Sequence, residues 1–223
     1  MATPNIAPLA GRSSRSEQVY VALREALLSG AFTPGDQLRE SEIAQQLGVS
    51  KTPVREAMST LRAKGLLKSS PTRGILVTQI DGDTLEQLYE VRALLEPEAI
   101  RRAVPKADDK LVTHADRLLT EAQRHGQRRD FNALSRSNRD FHELLYQRCE
   151  NTKMQLILND MRDQLQFAAA SGWRGTTPSW EEERGEHLAI LDAVANGDVE
   201  RAAELSKSHI EHAAAKLLAR AAP

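Results

Sequence analysis

The chain has 223 residues, with 30 Lys and Arg against 31 Asp and Glu, a formal net charge of −1. Its 40% hydrophobic content is enough for packed cores and too high for a disordered chain, and no run approaches the roughly 18 consecutive apolar residues that span a bilayer. The single cysteine, Cys149, excludes an internal disulfide framework and any multi-cysteine zinc site. The N-terminal stretch MATPNIAPLAGRSSR has no apolar run fit for a signal peptide, so a soluble cytoplasmic protein is expected.

Charge is unevenly spread. Residues 1–78 hold ten Lys and Arg against six Asp and Glu, net +4, and residues 79–223 hold twenty against twenty-five, net −5. All six histidines, His114, His125, His142, His187, His209 and His212, fall in the second part. A mildly basic front and an acidic, histidine-bearing back predict two units with different partners.

In the front unit, Ser14-Arg15-Ser16-Glu17 fits a capping box, and Val19, Leu23, Ala26 and Leu27 recur at helical spacing up to a stop at Gly30. Pro34-Gly35-Asp36 is a turn. A short second helix over 42–47 should turn Ile43, Ala44 and Leu47 inward, and Gly48 supplies the positive φ of a tight helix-to-helix turn. Ser50 is placed to cap a third helix that tolerates Pro53 in its first turn and buries Val54, Ala57, Met58 and Leu61. Two β-compatible segments, 66–69 and 74–77, flank Ser70-Pro71-Thr72-Arg73-Gly74 as a small hairpin. Together these predict a winged helix-turn-helix. Lys51, Thr52, Arg55 and Glu56 remain on the outer face of the third helix. A basic, hydroxyl-bearing first turn suits the DNA major groove, although a solvated charged turn has the same pattern.

The stretch from Phe32-Thr33-Pro34-Gly35-Asp36 through Ser50-Lys51-Thr52-Pro53-Val54-Arg55-Glu56-Ala57-Met58, with Lys64-Gly65-Leu66-Leu67 and Arg73-Gly74-Ile75-Leu76-Val77, resembles the DNA-binding domain of the GntR family of bacterial transcription regulators. The resemblance implies that Ser50, Lys51, Thr52, Arg55 and Gly74 approach DNA, with Arg73 beside the wing tip. Lys51 stands where the family usually has Arg, and Ser41 where many members carry a DNA-contacting Arg. Lys lacks the bidentate fork for guanine, and Arg39, two residues before Ser41, is the candidate to replace the missing contact with one to phosphate.

Behind it the pattern is helix after helix, at about 84–104, 107–126, 130–149, 153–171, 179–196 and 198–219. Asp83-Thr84-Leu85-Glu86 has a capping-box-like spacing, Pro97 should kink or split the first helix, and Ser179-Trp180-Glu181-Glu182 forms another capping box. The predicted fold is mainly α: the winged head, then an all-helical antiparallel bundle. In residue terms that is a flexible tail over 1–12, a head over 13–78, a linker over 79–84 and the bundle over 85–220.

Asn138 and His142 share a helix face; His187 with Leu191 and Val194, and His209 with Leu205 and Ala213, form inward rows on two later helices. Three imidazoles and one amide therefore point toward a common interior, as a metal site or as three separately satisfied core histidines. His114, His125 and His212 are expected on solvated faces. Trp173 and Trp180 bracket the loop over 172–178, which reads as a lid or, in preference, an amphipathic corner.

The segments over 90–99, Asn138-Arg139-Asp140-Phe141-His142, Glu186-His187-Leu188-Ala189-Ile190-Leu191, Asn196-Gly197-Asp198 and His209-Ile210 resemble the FCD effector domain of the FadR subfamily of GntR regulators. That resemblance implies a divalent ion held at Asn138, His142, His187 and His209, with Asn138 in place of the usual Asp as a poorer ligand for a hard cation. Zn, Ni and Mn all suit imidazole-rich ligation. It further implies a small carboxylate effector, with Arg92 as its clamp unless Arg92 pairs with Glu96, and a homodimer on a pseudo-palindromic operator, most often repressing until effector arrives. Two other classes are open to this composition. A metallo-enzyme is disfavoured because His142-Glu143-Leu144-Leu145-Tyr146 lacks the second His of a zincin, and an architectural DNA-binding protein has no use for aligned inward histidines.

Overall fold

The computed structural model describes residues 14–170 and 180–221. The first helix, α1 (Arg15–Leu28), starts where the Ser14 hydroxyl accepts the Glu17 N–H at 3.1 Å, and it buries Val19, Leu23, Leu27 and Leu28. The turn through Gly35 leads to β1 (Gln37–Leu38), then α2 (Glu40–Leu47), α3 (Lys51–Ala63), β2 (Leu67–Ser70) and β3 (Gly74–Val77). β2 and β3 form the expected antiparallel wing, and β1 adds a third strand on the far edge of β3. Two residues carry no alternation, which is why β1 is invisible in the sequence.

Three expectations for the head are corrected. Leu47 is 41% exposed rather than inward. The left-handed Gly48 turns the chain so that Val49 donates back to the Ala44 carbonyl and packs on the core in its stead. Ser50 occupies the cap position of α3 with extended backbone but makes no side-chain capping hydrogen bond. The linker is shorter than expected, because Asp81 accepts the Thr84 N–H and starts α4 (Gly82–Ala103) early.

The bundle consists of α4, a 3-10 turn (Val104–Lys106), α5 (Asp109–Gln127), α6 (Phe131–Tyr146), α7 (Thr152–Ala170), α8 (Trp180–Ala195) and α9 (Val199–Ala221). Asp108 and Asp130 cap α5 and α6, and the Asn151 and Asp198 side chains accept the Met154 and Arg201 amides at the starts of α7 and α9. Pro97 neither splits nor ends α4. Its neighbours Ala99 and Ile100 are fully buried, and that packing holds the helix together across the missing N–H. Ser179 and Trp173 lie outside the described residues.

α4 packs chiefly on α9, and α5 on α6 and α8, around a core that includes Phe141, Leu145, Leu158 and Ile190. The head has its own core, built on Leu27, Val54, Leu61, Leu66 and Val77, and Phe167 and Ala168 of α7 are buried within it. α7 also meets the head by charge. Arg24 grips Asp163 through Nε and Nη2, Lys64 pairs with Asp160, and the Gln164 amide donates to the Lys64 carbonyl at 3.0 Å. α6 adds a bond from Asn132 to the Ser29 carbonyl at 2.8 Å.

Candidate functional site

His142 on α6, His187 on α8 and His209 on α9 are buried, and they converge: His187 Nε2 lies 3.1 Å from both His142 Nε2 and His209 Nε2. The opposite nitrogens face acids, with His142 Nδ1 at 2.8 Å from Glu96 Oε1 and His209 Nδ1 at 2.6 Å from Glu186 Oε2. Burial by itself would raise the Glu96 carboxyl, but the Arg162 and Arg92 guanidiniums hold it well below the usual range. A carboxylate only accepts, so these partners assign the proton of each ring to Nδ1 and leave a lone pair on Nε2. Burial, with the nearby guanidiniums of Arg162 and Arg92, depresses His142, and burial also depresses His209; burial and the two neighbouring rings depress His187. All three rings are therefore neutral, and the single proton on His187 meets at most one of the two lone pairs facing it. Three Nε2 atoms within hydrogen-bond distance of one another, two of the rings oriented from behind by carboxylates and His187 Nδ1 without a partner, form a group that could hold a divalent ion once the His187 proton sits on Nδ1.

Asn138 sits one turn before His142 on α6, and its Oδ1 is buried without a hydrogen-bond partner. Ser206 Oγ, one turn before His209, and Gln166 Oε1, one turn after Arg162, are orphaned in the same way. Arg92 is tied to Glu96, with Nε at 2.7 Å from Oε2, and its Nη2 lies 3.5 Å from His142 Nδ1. Glu96 also takes Arg162 Nη2 at 2.7 Å on both oxygens. The charges beside the rings are thus two buried guanidiniums, of Arg92 and Arg162, against the buried Glu96 carboxylate and the half-buried Glu186 carboxylate, which balance.

Sequence reasoning missed Arg162 and Glu186. Arg162 and Glu96 are 66 positions apart and on different helices, so no periodicity joins them. Glu186 had a local signal, an acid next to His187, yet it serves His209 and the exposed His212 instead. The Trp180 ring lies 5.7 Å from that of His187, and the loop that Trp173 and Trp180 bracket lies outside the described residues. His114 is exposed and His125 half-buried.

On the head, Ser50, Lys51, Thr52 and Arg55 line the exposed start of α3, and Arg73 and Gly74 sit at the wing tip, Gly74 with φ 75°. Arg73 reaches the Gly35 carbonyl at 3.3 Å, and Gln37 Nε2 donates to the Arg73 carbonyl at 2.5 Å, so the third strand braces the wing. Arg39 pairs with Glu42 at 2.8 Å on its own helix turn, and Arg55 reaches across to Glu40 on α2.

Comparison with known proteins agrees with both halves. Residues 15–77 match the model of the gntR family of bacterial regulatory proteins, and residues 87–212 match that of the FCD domain. The chain is 29% identical over 197 residues to the uncharacterized HTH-type transcriptional regulator YdhC of Bacillus subtilis, covering 87% of each chain. It is 29% identical over 180 residues to the Nta operon transcriptional regulator of Aminobacter aminovorans, covering 81% of this chain and 83% of that one. Among solved structures, Escherichia coli McbR/YncC superposes with a TM-score of 0.79 at 25% identity, covering 93% of this chain and 98% of the other. With a winged helix-turn-helix on an FCD bundle, the chain belongs to the gntR family of bacterial regulatory proteins and is a transcriptional regulator.

Proposed function

We propose that the protein is a repressor whose grip on a pseudo-palindromic operator is set by a small carboxylate bound in the bundle, through a divalent ion held by Asn138, His142, His187 and His209. The donor set fits such an ion: Nε2 lone pairs on His142 and His209, a His187 ring whose unpartnered Nδ1 can take the proton and free its Nε2, and an amide oxygen with nothing else to accept from. When bound, the ion supplies a Lewis-acid anchor for a carboxylate oxygen. The guanidiniums of Arg92 and Arg162 are balanced by Glu96 and Glu186, so a divalent ion at the rings would itself supply the positive charge that favours an anion, and the orphaned Asn138, Ser206 and Gln166 oxygens call for a polar occupant, solvent or ligand. Arg92 acts here as a source of potential, since Glu96 already occupies its fork.

The observation that carries the regulatory reading is the adjacency of Arg162 and Asp163 on α7. Arg162 holds Glu96 at the histidine centre, and Asp163 holds Arg24 of the head. An occupant that repositions Glu96 acts on the helix that seats the head, which is what effector control of DNA binding requires. Relatives named the galactonate operon transcriptional repressor of Escherichia coli and the probable D-xylose utilization operon transcriptional repressor of Paenarthrobacter nicotinovorans favour the repressor sense.

The test starts with elemental analysis of purified, untagged protein, where near one Zn, Ni or Mn per chain is expected. Operator binding is then measured for the metal-loaded protein against a panel of small carboxylates, in wild type and His187→Ala. One carboxylate should weaken wild-type binding, while His187→Ala should keep operator affinity and lose the response. A His187→Ala variant that responds like wild type would sink the proposal.

A further inference from the structure

We propose that Glu40 is a positioning residue for sequence readout: it holds the Arg55 guanidinium so that the free edge of the fork addresses a guanine in the major groove. The inference rests on the DNA-binding reading of α3. Arg55 lies in the second turn of α3, and its side chain is 70% exposed. A long side chain on a helix surface would ordinarily sample many rotamers, and binding would have to freeze them. This one is already held. Glu40, the first residue of α2, takes Arg55 Nε at 3.0 Å on Oε1 and 3.2 Å on Oε2, and Arg55 Nη2 at 2.8 Å on Oε2.

Counting donors shows what remains. A guanidinium carries five N–H groups. The carboxylate engages the Nε–H and one Nη2–H, which is one whole edge of the fork. The Nη1 pair and the second Nη2–H are left, and an end-on Nη1/Nη2 edge is the donor pair that matches O6 and N7 of guanine. The anchor itself is firm, because Glu40 is only 29% exposed and sits in the acid-favouring first turn of α2. The two helices are fixed to one another through the Gly48 turn and the buried Ile43, Ala44, Val54 and Ala57. The Arg39–Glu42 pair offers a contrast, since both partners there are well exposed and lie within one helix turn, so it orients nothing outside its own surface.

A carboxylate on a face that meets phosphates weakens attraction to any DNA alike. Its gain is in discrimination: with Arg55 fixed, a base lacking the O6/N7 pair leaves the fork edge unmet and the guanidinium unable to swing to a phosphate for compensation. An acid that merely caps the helix dipole would show no such selectivity.

The experiment selects bound duplexes from a random-sequence library with the full-length protein, as wild type, Glu40→Gln and Arg55→Ala, and compares the base preferences column by column. Arg55→Ala should erase one guanine column in each half-site. Glu40→Gln should weaken that same column, its guanine-over-adenine preference falling roughly 5- to 10-fold, and leave the other columns intact. In a duplex carrying 7-deazaguanine at that column, wild type should lose affinity and Glu40→Gln should lose less. If Glu40→Gln keeps the column at full strength, or flattens all columns evenly, Glu40 is a helix-terminus acid and the proposal fails. If Arg55→Ala alters no column, the reading of α3 itself fails, and the proposal with it.

Discussion

Asn138 stands one turn before His142 and offers a neutral amide oxygen. An acid at that position would add a harder, anionic oxygen to the three imidazoles. Asn138→Asp is therefore expected to raise affinity for a divalent ion by about 10-fold or more, read by competition against a chelating dye. An unchanged affinity would remove Asn138 from the ligand set. Legibility at this scale follows the range of each interaction. The inward rows of His142, His187 and His209 repeat along single helices and could be read from spacing. The pairing of Arg162 with Glu96, or of Glu186 with His209, joins different helices and leaves no trace in either one. Arg92 shows both sides: its Glu96 partner is at i,i+4 and visible, but the second guanidinium that turns the pair into a buried cationic cluster is not.

At the scale of elements, α7 is the piece that belongs to both halves. Asp160, Asp163, Gln164, Leu165, Phe167 and Ala168 meet the head, while Leu158, Met161 and Arg162 face the bundle. Asp163→Asn removes the carboxylate that Arg24 grips and that Arg139 approaches at 3.6 Å. It should cost about 2–3 kcal/mol in urea denaturation. It should also leave operator affinity of the ligand-free protein nearly intact while blunting its change on metal and carboxylate binding. A full response in Asp163→Asn would mean that coupling runs by another route. The start of α1 was readable because the Ser14 side chain closes it, whereas α4 is capped by Asp81 rather than at the Asp83 box, and the Asp108 and Asp130 caps went unread. Pro97 misled because its effect is set by what packs around it, and Leu47 because the residue after a left-handed glycine took its place in the core.

For the whole molecule, the proposed pseudo-palindromic operator would take two copies of the chain, with half-sites about 34 Å apart or a multiple of that. Leu94 is 74% exposed in the middle of α4, with Val91 exposed one turn before it. An apolar pair there suits burial against a second copy. Leu94→Asp is expected to shift the particle from twice the chain mass toward the single chain in light scattering, and to weaken operator binding by at least about 10-fold through loss of the second half-site. A dimer of undiminished stability would place the interface elsewhere.

The burial of Phe167 within the core of the head bears on portability. A head cut from this chain at the end of the wing would lose the fully buried Phe167 ring from its core, and filling or emptying a site of that size is worth about 3–5 kcal/mol. The head is thus a borrower of structure. Grafted onto another effector bundle, it would need the seat on α7 to travel with it, and a recombination point drawn between the two family matches would separate the ring from the socket it completes.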